Sequence, residues 1–375
     1  MNKIVWILIS LLFLTGCADI KEVQYQAYAV GLGIDYNDNQ YEVTLQFLDF
    51  LNVAKTDQGK GDKPSKVWLG NGKGKSIEDA INQIDQGIQL PINFDQINVI
   101  VFGKSLLKNK LESTLQTLDS SYRIRLTGMV YGTEEPIEKV FTSKVPFYYP
   151  FNESQISNPE AKQQQSSTVP PINLQQFIYQ FNEKARTILL PSLTVNNEII
   201  KEEEDNYDVP TINGAHIIKG KHWKGHVSLN HLIGFVRVNN KSVRTPLTLD
   251  LANHQILVNL LKPKMKYVVN NDKKDPSIGL EIKIHATVLN SNGMKLSKDI
   301  KNQIKKKLVN EVYHSYEKSK EIDGDIFQFE NYLYRHRHDL WQSIGEGDFP
   351  ELKKDNIHIK IDRFKSVHKL SGMYQ

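Results

Sequence analysis

A phosphate cradle is the first chemistry the residue spacing suggests. Leu69 to Ser76 reads LGNGKGKS, three glycines and two lysines closing on Gly74-Lys75-Ser76. A P-loop has the spacing G-x-x-x-x-G-K-[ST], with backbone N–H groups around the phosphates and the Lys on the outer ones. Here Leu69 stands where the first glycine belongs, and Gly70 is one place too near. Nucleotide binding is not expected. Histidine is the second candidate. His222, His226 and His231 lie close in sequence, and His336 and His338 precede Asp339. Zinc needs ligands that converge on one tetrahedron. His222 and His226 fall across a turn and a strand, where their spacing does not share a face. On a helix of ~3.6 residues per turn, His336 and His338 would point roughly 160° apart. Asp323 and Asp325 could form an acid pair, but they flank Gly324 where Asp is expected in a turn. No G-x-S-x-G elbow is present. The reading is therefore no catalytic residue, no metal and no cofactor.

Cys17 remains. It is the only Cys, so no disulfide can close within the chain. Lys3 and an apolar run over 4–14, broken only by Ser10, precede it. That run is shorter than the ~20 residues that span a hydrocarbon core and has the length of a signal-peptide h-region. Leu14-Thr15-Gly16-Cys17 resembles the lipobox of bacterial lipoproteins. The resemblance implies cleavage between Gly16 and Cys17, a diacylglyceryl thioether on Cys17 and an N-acyl chain. Each buried CH₂ contributes ~0.8 kcal/mol, so two or more acyl chains would hold the body on a membrane. Residues 1–16 read as the signal peptide, and no other segment has transmembrane length. Formal net charge is +4, of which Lys3 supplies one unit. Near-neutrality at this size argues against a nucleic-acid partner.

The elements around these residues follow from periodicity and turn chemistry. Residues 26–35 read as a strand, 36–40 as a turn, and 41–47 as a half-buried strand with Tyr41, Val43, Leu45 and Phe47 on one face. Residues 52–65 form a polar loop and 66–69 a short strand. The glycines of LGNGKGKS then read as the turn that releases the chain into a helix capped by Ser76 and Asp79. Its stripe is Ile77, Ala80, Ile81, Ile84 and Ile88. An inner strand over 97–102, a helix over 106–118, a strand over 124–131 and a short helix over 135–141 complete a mixed α/β domain, 17–149. Residues 150–171, rich in Gln, Ser, Asn and Pro, read as a polar linker. A small middle α/β unit spans 172–246, with a helix over 174–184 and strands over 187–195, 211–219 and 227–238. A C-terminal α/β domain spans 247–375 in the order βββααβ. Its strands are 254–262, 264–269 and 278–289. A helix capped by Ser297 carries Ile300, Ile304, Leu308 and Val312; a second covers 327–341, and a strand over 357–361 closes the chain. The expected fold class is mixed α+β and multi-domain, with mostly antiparallel mixed sheets flanked by helices.

Several motifs recur in a recognisable order. Cys17 is followed by Asp19, Lys21 and Glu22. Ala29-Val30-Gly31-Leu32-Gly33-Ile34-Asp35, Tyr41 to Gln46, Ser76-Ile77-Glu78-Asp79-Ala80 and the apolar run ending in Phe102-Gly103 come next. Leu190-Pro191, Gly214-Ala215, Asp325-Ile326-Phe327, Trp341, Phe349 and Ile357 to Ile361 follow. Together they resemble the Ger(x)C family of spore germination lipoproteins, the C subunits of nutrient germinant receptors. Gln328 stands where that family has a glycine, and His216-Ile217 where it has an aliphatic residue and Phe. The resemblance implies a multi-domain mixed α/β fold and a non-enzymatic receptor subunit. It would be tethered at Cys17 to the outer face of the spore's inner membrane and assembled with integral membrane A and B subunits. The complex would answer a small nutrient germinant, an amino acid, sugar or nucleoside, not assignable to this subunit. The other reading of an anchor with α/β domains is an independent solute-binding lipoprotein feeding a transporter.

Overall fold

Asp38 and Asn39 both adopt left-handed φ, 50° and 60°. Two such residues suit a type I′ turn, and they fold β1 (Ala27–Asn37) back onto β2 (Gln40–Phe47). The computed structural model describes residues 25–48, 66–121, 124–251, 254–270, 275–290 and 297–366. Gly16, Cys17 and the loop 52–65 lie outside the described residues.

The first sheet grows from this hairpin in both directions. β3 (Trp68–Gly74) pairs antiparallel with β2. A two-residue strand, β4 (Ile92–Asn93), pairs with the start of β1. Beyond β1 lie β5 (Val99–Gly103), β6 (Met129–Thr133) and β7 (Thr187–Glu202), all parallel. β8 (Asp205–Lys219) and β9 (His222–Ser228) then return antiparallel. The parallel centre needs helical crossovers. α1 (Ile77–Gly87), α2 (Lys104–Asn109), α3 (Leu111–Ser120) and, further on, α6 (Leu174–Asn182) pack one face through Ile84, Leu107, Leu115 and Phe177. α4 (Ile137–Thr142) and Phe151 pack the other. β2 is consequently buried on both sides rather than one: Gln46 is 1 % exposed, and its Nε2 donates to Phe141 O at 2.9 Å.

The second sheet is β10 (Arg244–Leu251), β11 (His254–Val269), β12 (Ile278–Asn290) and β13 (Leu352–Ser366), the last pair parallel. α8 (Lys298–Lys320) lays Ile300, Ile304 and Leu308 on it, and Ser297 Oγ accepts from Ile300 N at 3.2 Å to cap the helix. α9 (Phe329–His336) and α10 (His338–Ile344) follow.

The fold is mixed α+β, but several elements depart from the sequence reading. Residues 229–238 form a helix, α7 (Leu229–Val238), not a strand. A Cβ on Gly234 would stand 2.0 Å from Glu311 O, so α7 meets α8 backbone to backbone, and this contact outweighs the β-branched composition. The segment 150–171 is no free linker. It holds α5 (Glu160–Gln165) and buries Phe151, Ile156 and Val169, whose irregular spacing hid them. The strands given to a separate middle unit join the first sheet through Gly132↔Ser192 and Thr133↔Leu193. β10 escaped the sequence reading, and 254–269 is one strand with a register shift beside Lys262, φ 47°. The helices read over 106–118 and 327–341 each break in two, at Lys110 and Arg337.

Candidate functional site

The glycines of LGNGKGKS are strand, not turn. Gly70, Gly72 and Gly74 lie in β3 opposite Leu45, Val43 and Tyr41. A Cβ on Gly72 would stand 2.0 Å from Ala80 O, and one on Gly70 2.5 Å from Ile84 Cγ2. Their absent side chains let α1 lie directly on the strand. Ser76 does cap α1: its Oγ accepts from Asp79 N at 3.0 Å, and Asp79 Oδ2 accepts from Ser76 N at 3.2 Å.

The histidines scatter. His222 and His226 are on β9, and His231 sits on α7 against the His314 ring at 5.2 Å. His336 packs on Tyr332 and His338 on Trp341. Among the described residues no three His, Cys, Asp or Glu side chains stand close enough to hold a metal ion.

Asp323 and Asp325 part company. Asp323 is on the surface, paired with Lys219 at 3.3 Å and Lys224 at 2.6 Å. Asp325 is buried and accepts from Glu330 N at 2.8 Å. Burial pushes its carboxyl up to about 6, against the pull of the backbone N–H groups of Phe329 and Glu330. Beside it lies a cluster the sequence did not signal. Lys219, the last residue of β8, sends its buried ammonium to Gly347 O at 2.9 Å and towards Glu330 Oε2 at 3.9 Å. Glu330 also accepts from Gly347 N at 2.8 Å and Trp341 Nε1 at 3.4 Å. Next to this junction Gln328, φ 62°, accepts from Thr187 N at 3.2 Å and donates to Thr187 O at 2.6 Å. The first sheet is thus stitched to the turn after α8 by charge and by paired amide bonds.

A second polar cluster lies inside the first sheet. His216 on β8 is fully buried beside His226, ring centroids 5.3 Å apart. Trp223 Nε1 donates to His216 Nδ1 at 3.2 Å, which leaves that ring's proton on Nε2. Nε2 of both histidines lacks a hydrogen-bond partner among the described residues. Burial, then the neighbouring His226, lowers His216 to about 3, and burial lowers His226. The adjacent Glu134 is bound to Lys104 at 2.5 Å. An apolar hollow of ≈ 590 Å³ lies at the far end of the sheet, between the β7–β8 extension and residues 144–171. Phe147, 83 % exposed with φ 64°, stands at its mouth.

These features define a class: a two-sheet α+β protein whose polar groups are enclosed by packing. Two family models match it, one described as the spore germination protein N-terminal domain over residues 19–195, the other as spore germination B3/GerAC-like, C-terminal, over 213–364. The chain belongs to the Ger(x)C family of spore germination proteins. It is 23 % identical to spore germination protein KC of Bacillus subtilis (strain 168) over 96 % of this chain and 94 % of that one. It is 30 % identical to spore germination protein B3 of the same organism over 36 % of each, and 22 % identical to GerQC of Bacillus cereus over 76 % and 75 %. The crystal structure of the GerBC protein shares the fold, with TM-score 0.52 and 19 % identity over 90 % of this chain and 97 % of that one.

Proposed function

We propose that this chain is the lipid-anchored C subunit of a nutrient germinant receptor. Cys17, acylated after cleavage behind Gly16, tethers it to the outer face of the spore's inner membrane. There it assembles with integral membrane A and B subunits and passes on or scaffolds their response without chemistry of its own. The observation that carries this reading is positional. The family match begins at residue 19, just past Leu14-Thr15-Gly16-Cys17, and the two matches take in most of the chain that follows. Among the described residues no helix is long and apolar enough to cross a membrane. Deleting the gene should abolish the response to a nutrient germinant and spare a non-nutrient trigger. Cys17→Ala should release the protein from the membrane fraction. Normal germination on every nutrient in a strain lacking paralogous receptors would refute the role, and unchanged fractionation of the variant would refute the anchor.

A further inference from the structure

Four large apolar side chains stand in solvent at one corner of the first sheet: Tyr25 (61 % exposed), Val67 (40 %), Trp68 (61 %) and Leu90 (40 %). The register sets them at the same end of β1, β3 and β4. Trp68 opens β3 opposite Phe47, and Phe47 lies opposite Ala29 near the start of β1. Ala27 pairs with Ile92 and its N–H donates to Pro91 O at 3.0 Å, which sets Leu90 beside Tyr25. A shallow hollow of ≈ 1030 Å³ opens beside Tyr25 and Leu90, lined by these two, Ile88 and Phe94 together with the polar Asp85 and Asp95. Singly exposed apolar residues need no explanation. These four share the end of the sheet at which the chain arrives from Cys17.

The length of that connection decides what they face. Eight Cα steps separate Cys17 from Tyr25, and an extended chain spans them in at most ~28 Å. The opposite end of the sheet is the tip of the β7–β8 hairpin, with Glu202, Glu203, Glu204 and Asp205 exposed. Ile34 is level with Phe102, Gly132 and Ser192 across the parallel strands. Counting along them at ~3.3 Å per residue puts Glu203 roughly 60 Å from Tyr25. The acidic tip therefore stands away from an anchored Cys17, as an anionic lipid surface requires. Trp and Tyr are the side chains that favour the headgroup layer.

We infer that this corner rests on the bilayer, with Trp68 and Tyr25 in the headgroup layer and Val67 and Leu90 against the acyl boundary. The inference rests on the anchoring of Cys17 and adds an orientation: the β1–β3 corner faces lipid and the β7–β8 tip faces away.

The test uses the full chain, purified from membranes with its lipid and reconstituted in vesicles of phosphatidylglycerol and phosphatidylethanolamine. Cys17 is the only native Cys and is blocked by the lipid, so an introduced Cys takes a spin label alone. Labels go at Lys66→Cys and Gln89→Cys beside the corner, and at Glu203→Cys on the far tip. The expected result is a loss of collisions with a water-soluble nickel chelate and a gain with oxygen at the two corner labels, and neither at the tip. Tyr25→Ser/Trp68→Ser/Leu90→Ser, with unchanged circular dichroism, should keep flotation with vesicles while restoring nickel collisions at both corner labels. Corner labels as wet as the tip label, in protein that floats, overturn the orientation and leave the anchor standing. Loss of both collision rates at the corner overturns it too, because a protein surface rather than lipid then covers the patch. Failure of the wild-type chain to float removes the anchor and the orientation together.

Discussion

The two buried polar clusters confine titratable groups in opposite ways. At the junction, the Lys219 ammonium lies 3.3 Å from Asp323 and 3.9 Å from Glu330, so the ion pairs join β8 to the chain beyond α8. Inside the first sheet, His216 and His226 are held neutral, and His216 is fixed by Trp223, its near neighbour in sequence. A cluster that joins two bodies can use charge, because each body brings one sign. In the cluster within one sheet the nearby Glu134 is already paired with Lys104, and burial keeps both imidazoles neutral. The largest effect should therefore come from breaking the charged one. Lys219→Met leaves Glu330 buried without a cation and should cost about 3–5 kcal/mol in denaturant unfolding. Adding Glu330→Gln should recover part of that loss. A single mutant as stable as the wild type would erase the distinction.

Acidity sharpens it, because the clusters respond to pH with opposite signs. The Asp325 carboxyl is raised to about 6 in the folded chain from 3.8. Its contribution to stability is full below about pH 4 and is lost as pH rises through 6. His216 is depressed to about 3 from 6.5. Its contribution is full above pH 6.5 and is lost as pH falls towards 3. Between about pH 6 and 4 the two oppose each other, each by up to about 1.4 kcal/mol per pH unit. Asp325→Asn should steepen the loss of stability on acidification, and His216→Gln should flatten it. Denaturant midpoints measured from pH 4 to 7 would show this. Slopes that shift the same way in both variants would mean that other groups, Glu134 and His226 first among them, set the response.

Legibility followed the same division between local and distant causes. The β1–β2 hairpin, the α8 stripe and the caps at Ser76 and Ser297 were readable because periodicity and cap chemistry act over a few residues. α7 was not, because the glycine contact that makes it helical lies against α8; Ser315, which accepts from Gly234 N, is 81 residues on. Lys219 and Asp323 meet across 104 residues, and sequence could show the aspartates only as turn formers. The family motifs were legible, and two departures from them acquire physical meaning. Gln328 holds the left-handed φ that glycine adopts at least cost, and its amide compensates by bridging both backbone groups of Thr187. His216, a polar side chain in the core, is matched by the Trp223 donor.

Smaller effects separate the two halves of LGNGKGKS. Gly72 is a packing position: a methyl there meets Ala80 O at 2.0 Å, and backbone cannot swing aside. Gly72→Ala should cost about 1–3 kcal/mol, the range of overpacked interiors. Ser76 is a capping position. Ser76→Ala removes the acceptor for Asp79 N, while Asp79 can still reach Ser76 N, so about 1 kcal/mol should be lost. Ser76→Asp, which restores an acceptor at the helix N-terminus, should return most of it. Gly72→Ser offers a hydroxyl but keeps the clash, so it should rescue nothing. If Ser76→Asp failed while Gly72→Ser restored stability, the assignment would reverse: the strand glycine would be the polar position and the serine merely a small one.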